Sequence, residues 1–369
     1  MRAICHREGL LSGCQLVSAA IPANKALKPI LMNIKAVATD ARCTLIATDQ
    51  EVGIRLDVQG LTIQEPGEAI LPAARLISIL REARDNELSI EADASACTIR
   101  GATLEFEMAS EDPAQFPDFP HFTDEKYHEI SAGSLREMIR RTVFATAEKA
   151  ERFSMTGVAW EMDGDKVRLV ATDGRRLALT EGLATATGGH TTKGQTPVVP
   201  TKAMSLLERN LADDPEASVK VCIRPNEVLF RTERAVIYSR LVEGRFPNWQ
   251  AVMPKKPATT ISMPVAGFQA AVRQAAIMAE SESPRVTFKF AKGRLTLIAQ
   301  GATSGRSKIE LPIDYDGKPI DINFNPAYVV DMLKILPPEA SVMLDLIDGA
   351  NPALLRYEKD YSYLIMPLT

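Results

Sequence analysis

The sequence predicts an α+β protein made of three repeated domains, each with two helices packed on antiparallel sheet. Three observations predict this. One order of signals recurs three times, with corresponding points about 125 residues apart. Within each repeat, apolar residues at helical spacing give way to strand-like alternation and then to a proline-led helix. The length of 369 residues accommodates three domains at roughly 100–200 residues each.

Each unit opens with an amphipathic helix. Leu10, Cys14, Val17 and Ile21 follow the helical period, as do Leu135, Met138 or Ile139 and Val143, and then Phe268, Val272 and Ala275. Strands follow, ending in Leu45-Ile46-Ala47-Thr48-Asp49, Leu169-Val170-Ala171-Thr172-Asp173 and Leu297-Ile298-Ala299-Gln300-Gly301. Second helices open at Pro72, Pro200 and Pro326, where proline suits the first turn. The units close in Phe116-Pro117, Phe246-Pro247 and Met366-Pro367. Between these points the pattern is strand. Val158, Trp160 and Met162 alternate with polar residues, Asp163-Gly164-Asp165 turns, and Val167, Leu169 and Ala171 alternate again. Val286, Phe288 and Phe290 repeat this before Gly293. The stretches His121–Tyr127 and Lys255–Thr259 mark the joins, giving domains over 1–125, 128–254 and 256–369.

Composition narrows the class. With 46% hydrophobic residues and a net charge of -4, the chain has the balance of a globular protein, not a disordered one. No apolar run reaches the roughly 18–20 residues of a membrane span, and the N-terminus lacks a signal-peptide pattern. No membrane partner is expected. Cys5, Cys14, Cys43, Cys97 and Cys222 are odd in number and never spaced as C-x-x-C, so they read as small buried hydrophobes in a reducing cytoplasm.

Catalytic apparatus is not evident. His6, His121, His128 and His190 have no ligand spacing and read as surface or capping residues, so neither metal nor cofactor is expected. The stretch Gly189–Gly194 has phosphate-loop glycine spacing, but Gln195 stands in place of the lysine, and it reads as a flexible surface loop. Asp49 and Asp173 sit at equivalent strand ends. As acid/base carboxylates they would suggest a hydrolase, but they belong to separate domains and the third unit carries Gly301 instead, so turn formation accounts for them better. Cations are more informative. Arg75, Arg136, Arg140, Lys149, Arg152 and Lys202 lie on or beside the helices, interspersed with acids. They make either a solvated face or, if the helices share one axis, a basic lining for phosphates.

The segment Val170-Ala171-Thr172-Asp173-Gly174-Arg175-Arg176-Leu177-Ala178, with Glu243-Gly244-Arg245-Phe246-Pro247-Asn248 and Tyr363-Leu364-Ile365-Met366-Pro367-Leu368, resembles the bacterial DNA polymerase III beta subunit family, the β sliding clamps. The resemblance covers essentially the whole chain. It implies three clamp domains per subunit and a head-to-tail homodimeric ring of six. The ring would enclose double-stranded DNA without reading its sequence and tether the replicative polymerase. The implied role is non-catalytic, and a clamp-like scaffold or specialised paralogue outside replication is the alternative.

The same resemblance implies a pocket for a short peptide of the polymerase, the clamp loader and other partners. Its positions here are Met155, Thr172, Gly174, Arg175, Arg176, Leu177, Pro247, Val252, Leu364, Ile365, Met366, Pro367 and Leu368. For DNA it points to Lys25, Lys149, Arg152 and Phe153, and for dimerisation to Phe106 and Met108 meeting Ile277 and Met278 of a second copy. Arg175 replaces a frequent histidine, Ala251 a rim arginine, and Ser154 a second aromatic.

Overall fold

Six helices form where the apolar spacing begins. The computed structural model describes residues 1–23, 28–148, 153–254, 256–301 and 305–368. Among these the α-helices are α1 (Arg7–Ser18), α2 (Ala73–Glu82), α3 (Ala132–Thr142), α4 (Thr201–Arg209), α5 (Val265–Ala276) and α6 (Pro326–Leu333). The spaced residues are the buried ones: Leu10, Cys14 and Val17 on α1, Leu135, Met138 and Ile139 on α3, and Phe268, Val272 and Ala275 on α5. Pro326 is the first residue of α6, whereas Pro72 and Pro200 stand one place earlier, as caps. A cap needs extended backbone and no intrahelical N–H bond, so proline costs nothing there. Helices pack in pairs within each unit, α1 with α2, α3 with α4 and α5 with α6.

Two of the four sheets run across the boundaries between units. Six strands matter here: β1 (Val52–Val58), β2 (Glu105–Ala109), β3 (Arg176–Leu183), β4 (Ala235–Arg240), β5 (Gly305–Pro312) and β6 (Tyr361–Ile365). A five-stranded sheet belongs wholly to the first unit and ends in β2. A nine-stranded sheet takes five strands from the second unit and four from the first, joined where β4 pairs antiparallel with β1. An eight-stranded sheet takes four strands from each of the second and third units, joined where β6 pairs with β3. A four-stranded sheet of the third unit ends in β5. Alternation in sequence tells which face of a strand is buried but not which strand lies beside it.

The Val158–Ala171 hairpin forms as its pattern demands, with Gly157–Asp163 against Lys166–Thr172 and Trp160 fully buried beside Phe230. All five cysteines are free and buried. Burial pushes the Cys5 and Cys222 thiols up to about 12, and those of Cys43 and Cys97 to about 11.

Two histidines are not at the surface. His128 and His190 are buried, with Nδ1 atoms 2.7 Å apart. Their partners select one arrangement of protons. The Gly164 carbonyl can only accept, so a neutral His128 carries its proton on Nε2 and accepts at Nδ1 from His190. His190 Nε2, with the Ile223 N–H at 3.1 Å and carbonyl at 3.2 Å, then accepts the N–H. The His128 Nε2–H donation to the Gly164 carbonyl spans 3.1 Å. The pair fastens the Gly189–Gly194 loop, which is docked and not free: Thr192 is buried, and its hydroxyl accepts the Met162 N–H at 2.8 Å. Local spacing could not reveal this, because the two rings meet from 62 residues apart.

Burial, reinforced at His128 by its neighbour, lowers both imidazole pKa values in the folded protein. Below the ordinary histidine value near 6.5 the unfolded chain therefore binds more protons than the folded one. Stability contributed by the neutral pair is full above about pH 6.5 and falls as pH drops through the depressed folded values. Denaturant midpoints from pH 7.5 to 5 should decline, and a His128→Gln, His190→Gln variant should decline less steeply.

Candidate functional site

The junction of the second and third units gathers most of the expected pocket positions. Leu177 pairs with Leu364 across β3 and β6, and the Met366 N–H donates to the Arg175 carbonyl at 2.9 Å. Side chains alternate along these strands. Leu177 and Leu364 therefore share one face, packing in a cluster with Val170, Leu179, Phe246 and Trp249. Val252 and Met366 expose 47% and 39% of their surface, while Pro247, Pro367 and Leu368 are half-buried. Thr172 shapes the turn: its hydroxyl donates to the Arg176 carbonyl at 2.6 Å and accepts the Gly174 N–H at 3.0 Å. Gly174 adopts φ +87, which favours glycine, and the position of a Cβ there would be 3.9 Å from the Met155 sulfur. The result is an exposed apolar margin over a buried leucine floor, edged by the exposed Arg175. Such a surface suits an apolar peptide oriented by a few polar groups.

Two expected members face the other way. Ile365 is fully buried in the main core, and Arg176 beside it points to the helix side. The Arg176 guanidinium donates to Asp331 at 2.7 Å, to the Phe144 carbonyl at 2.7 Å and to Asp173 at 3.0 Å. It also stacks over Tyr328, 4.6 Å from the ring centre. Burial opposes its charge, but Tyr363, Asp331 and Asp173 more than offset that and hold its pKa above the ordinary arginine value. Arg176 thus fastens the two units behind the pocket. Asp49 and Asp173 act as turn formers: Asp49 accepts the Glu51 and Val52 N–H groups, and Asp173 accepts those of Arg175 and Arg176.

The expected DNA-facing residues fare unevenly. Arg75 is exposed on α2, and Arg140 is largely exposed beside Glu208 at 2.8 Å. Arg136 is spent on the carbonyls of Leu211 and Ala212 at 3.3 and 2.8 Å. Lys202 is spent at the joint of the first two units, donating to Asp49 at 2.6 Å and to the carbonyls of Ala20 and Ile21. Lys25, Lys149 and Arg152 lie outside the described residues. Phe153 opens the short turn Phe153–Met155, and its side chain also lies outside the described part.

At the two open ends, Phe106 on β2 exposes 44% of its surface and Ile277, just past α5, exposes 72%. Met108 is buried and Met278 half-buried. Beside Phe106 and Met108 a groove of about 430 Å³ runs along Arg75, Ser78 and Ile79 of α2.

A family model for the DNA polymerase III beta subunit N-terminal domain matches residues 1–120, one for the central domain 129–248, and one for the C-terminal domain 250–369. The chain belongs to the DNA polymerase III beta subunit family. It is 29% identical to a beta sliding clamp of Pseudomonas putida over 366 residues, 98% of each chain, and 26% identical to that of Escherichia coli over 371 residues, all of each. Among solved structures it resembles a DNA polymerase III beta subunit of Pseudomonas aeruginosa at 25% identity, covering 100% of both chains, with a TM-score of 0.90. It also resembles a sliding clamp of that organism bound to griselimycin, at 25% identity, covering 100% of this chain and 99% of that one, with a TM-score of 0.92. Among the described residues no group of three or more His, Cys, Asp or Glu is arranged to hold a metal ion, and no helix is long and apolar enough to cross a membrane.

Removing the Arg176 side chain leaves Asp331 with one fewer partner and the joint without its stacked cation. Arg176→Ala should cost about 3 kcal/mol, as breaking a buried ion pair does, read as a lower denaturant midpoint. Arg176→Lys should recover less than half, since an ammonium cannot reach three acceptors in a plane while stacking on a ring.

Proposed function

We propose that this chain is a DNA polymerase sliding clamp, a subunit without catalysis of its own that acts in the bacterial cytoplasm. Two copies close head to tail around duplex DNA, and the pocket beside Leu177 and Leu364 receives apolar peptides of the replicative polymerase, the clamp loader and other partners.

The observation that carries this reading is the pair of unmatched ends on an otherwise repeating chain. β1, β3 and β5 are the same strand of the three units, each paired with the strand ending in the recurrent motif: Thr48 opposite Gly53, Thr172 opposite Leu177, Gln300 opposite Arg306. β2, β4 and β6 are likewise equivalent, each the last strand of a hairpin. Within the chain β4 joins β1 and β6 joins β3, whereas β2 and β5, among the described residues, each keep one side unpaired. At the second joint Phe144, just past α3, packs 5.6 Å from Tyr363 on β6. Their counterparts at the open ends are Ile277 and Phe106, the two exposed apolar residues described above. A third joint of the same kind, made between copies, covers both. Two such joints close a ring of six units.

A ring holds DNA by topology. Contacts with the phosphates can then stay weak and independent of sequence, which permits sliding, and a net charge of -4 is no obstacle. Tethering a polymerase requires only that the peptide pocket face outward from the ring.

Retention on DNA tests the ring. The protein loaded on nicked circular DNA should stay bound through a salt wash and be lost on linearisation. Loss at the same rate from both forms would refute encirclement. For the pocket, Val252→Ala with Met366→Ala should weaken binding of an apolar clamp-binding peptide about tenfold or more by fluorescence anisotropy, with the ring intact. Unchanged affinity would remove these residues from the peptide site.

A further inference from the structure

The two joints inside the chain serve as templates for the joint between chains, and they yield its register. At the first, Gly53 of β1 lies opposite Tyr238 of β4, and Arg55 lies opposite Val236. Gly53 corresponds to Arg306, because each faces its unit's motif strand at the same place. Tyr238 corresponds to Glu107: the hairpin bond from Thr232 N–H to Ala235 O matches that from Gly101 N–H to Leu104 O, and each residue lies three places beyond the acceptor. Carrying the template over sets Glu107 opposite Arg306, Phe106 opposite Ser307 and Glu105 opposite Lys308.

Two independent features agree with this register. The first is side-chain direction. Glu105 and Glu107 are exposed while Met108 is buried against the helix side; Arg306 and Lys308 are exposed while Ser307 bonds the Ala275 carbonyl of α5. The register places exposed residues opposite exposed ones and helix-facing residues opposite helix-facing ones, and a shift by one would break both. The second is charge. The exposed face of β2 presents two acids, and the first half of β5 presents two bases. Among the described residues neither Glu107 nor Arg306 has an ion-pair partner. Glu105 is held by Arg100 at 3.0 Å and Lys308 by Glu310 at 2.8 Å, so the new pair would extend existing ladders.

Taking the head-to-tail ring as given, we infer that the rungs Glu107–Arg306 and Glu105–Lys308 form the outer face of the joint between copies and decide which edges pair. At the internal joints the rung that matches Glu107–Arg306 is apolar and covered. Leu177 and Leu364 lie in the cluster with Trp249, and Gly53 lies beneath the ring of Phe119. An edge that must also exist unpaired cannot carry such a face safely, since an apolar edge invites wrong partners. Charges keep it soluble. They also set acids against acids whenever β2 meets another β2, which disfavours a two-fold joint and leaves the head-to-tail one.

Sedimentation velocity on the full chain tests the pairing. Glu107→Arg and Arg306→Glu should each raise the dimer dissociation constant about thirtyfold, because both joints of a ring carry the change. The double variant should return to within about threefold of the parent. Mixed with differently tagged parent chain, it should form few hybrids, since both joints of a hybrid oppose like charges. Both sites are exposed, so thermal midpoints of the single variants report whether the monomer still folds. Single variants that dimerise like the parent, or a double variant that is not rescued, would overturn the pairing. A parent chain that is itself monomeric would instead overturn the ring. For the register, cysteines at Glu107 and Arg306 of one chain should cross-link into closed dimers on oxidation, the native thiols being buried. Stronger cross-linking from cysteines at Glu107 and Lys308 would overturn it.

Discussion

An edge strand carries a row of backbone donors and acceptors that must find a partner or face water. The rest of this structure depends on how those edges are matched. Each of the three units has two half-sheets, and each half-sheet ends in a strand that alone would be open. The chain resolves two of these ends by running sheets across unit boundaries, β4 onto β1 and β6 onto β3. Among the described residues, three units in line leave β2 and β5 without the pairing that their equivalents β4, β6, β1 and β3 find, and a second copy can supply it.

The joints use main-chain pairing for continuity and partly or fully buried cations for angle. Lys202 spans the first joint to Asp49 and two carbonyls of the opposite unit. Arg141 and Arg176 span the second, Arg141 reaching Asp360 at 2.9 Å and Glu358 at 3.3 Å beneath Tyr361, and Arg176 reaching Asp331. Such ion pairs add little net stability over apolar packing, but each acceptor must be where the cation is, so they hold one arrangement of units over others. The proposed peptide site lies on the opposite face of the strand pair that Arg176 anchors. A change in the joint therefore bears on the pocket directly, through Leu177 and Leu364, without any longer path.

Much of this was legible in the residues. Helix faces followed from spacing at Leu10, Cys14 and Val17, and the hairpin from alternation around Asp163-Gly164-Asp165, because these depend on contacts within one element or between neighbours. The turn role of Asp49 and Asp173 was legible for the same reason. The resemblance supplied the pocket positions, and alternation along β3 and β6 sorted them: Leu177 and Leu364 to one face, Arg176 and Ile365 to the other. The basic helix face was only half legible. Arg75 and Arg140 keep exposed cations, whereas Lys202 and Arg136 find partners 153 and 75 or more residues away, a separation no local pattern encodes.

By itself the sequence determined the three-fold repeat, the α+β class and the family, since periodicity and motif order are properties of a line of residues. Tertiary structure decided which strands share a sheet, which cations face water and which histidines are buried. Those outcomes depend on the free energy of bringing together groups far apart in the chain. A buried guanidinium or imidazole is tolerated only where distant partners meet it, and an edge strand is matched only by the strand that packing places alongside.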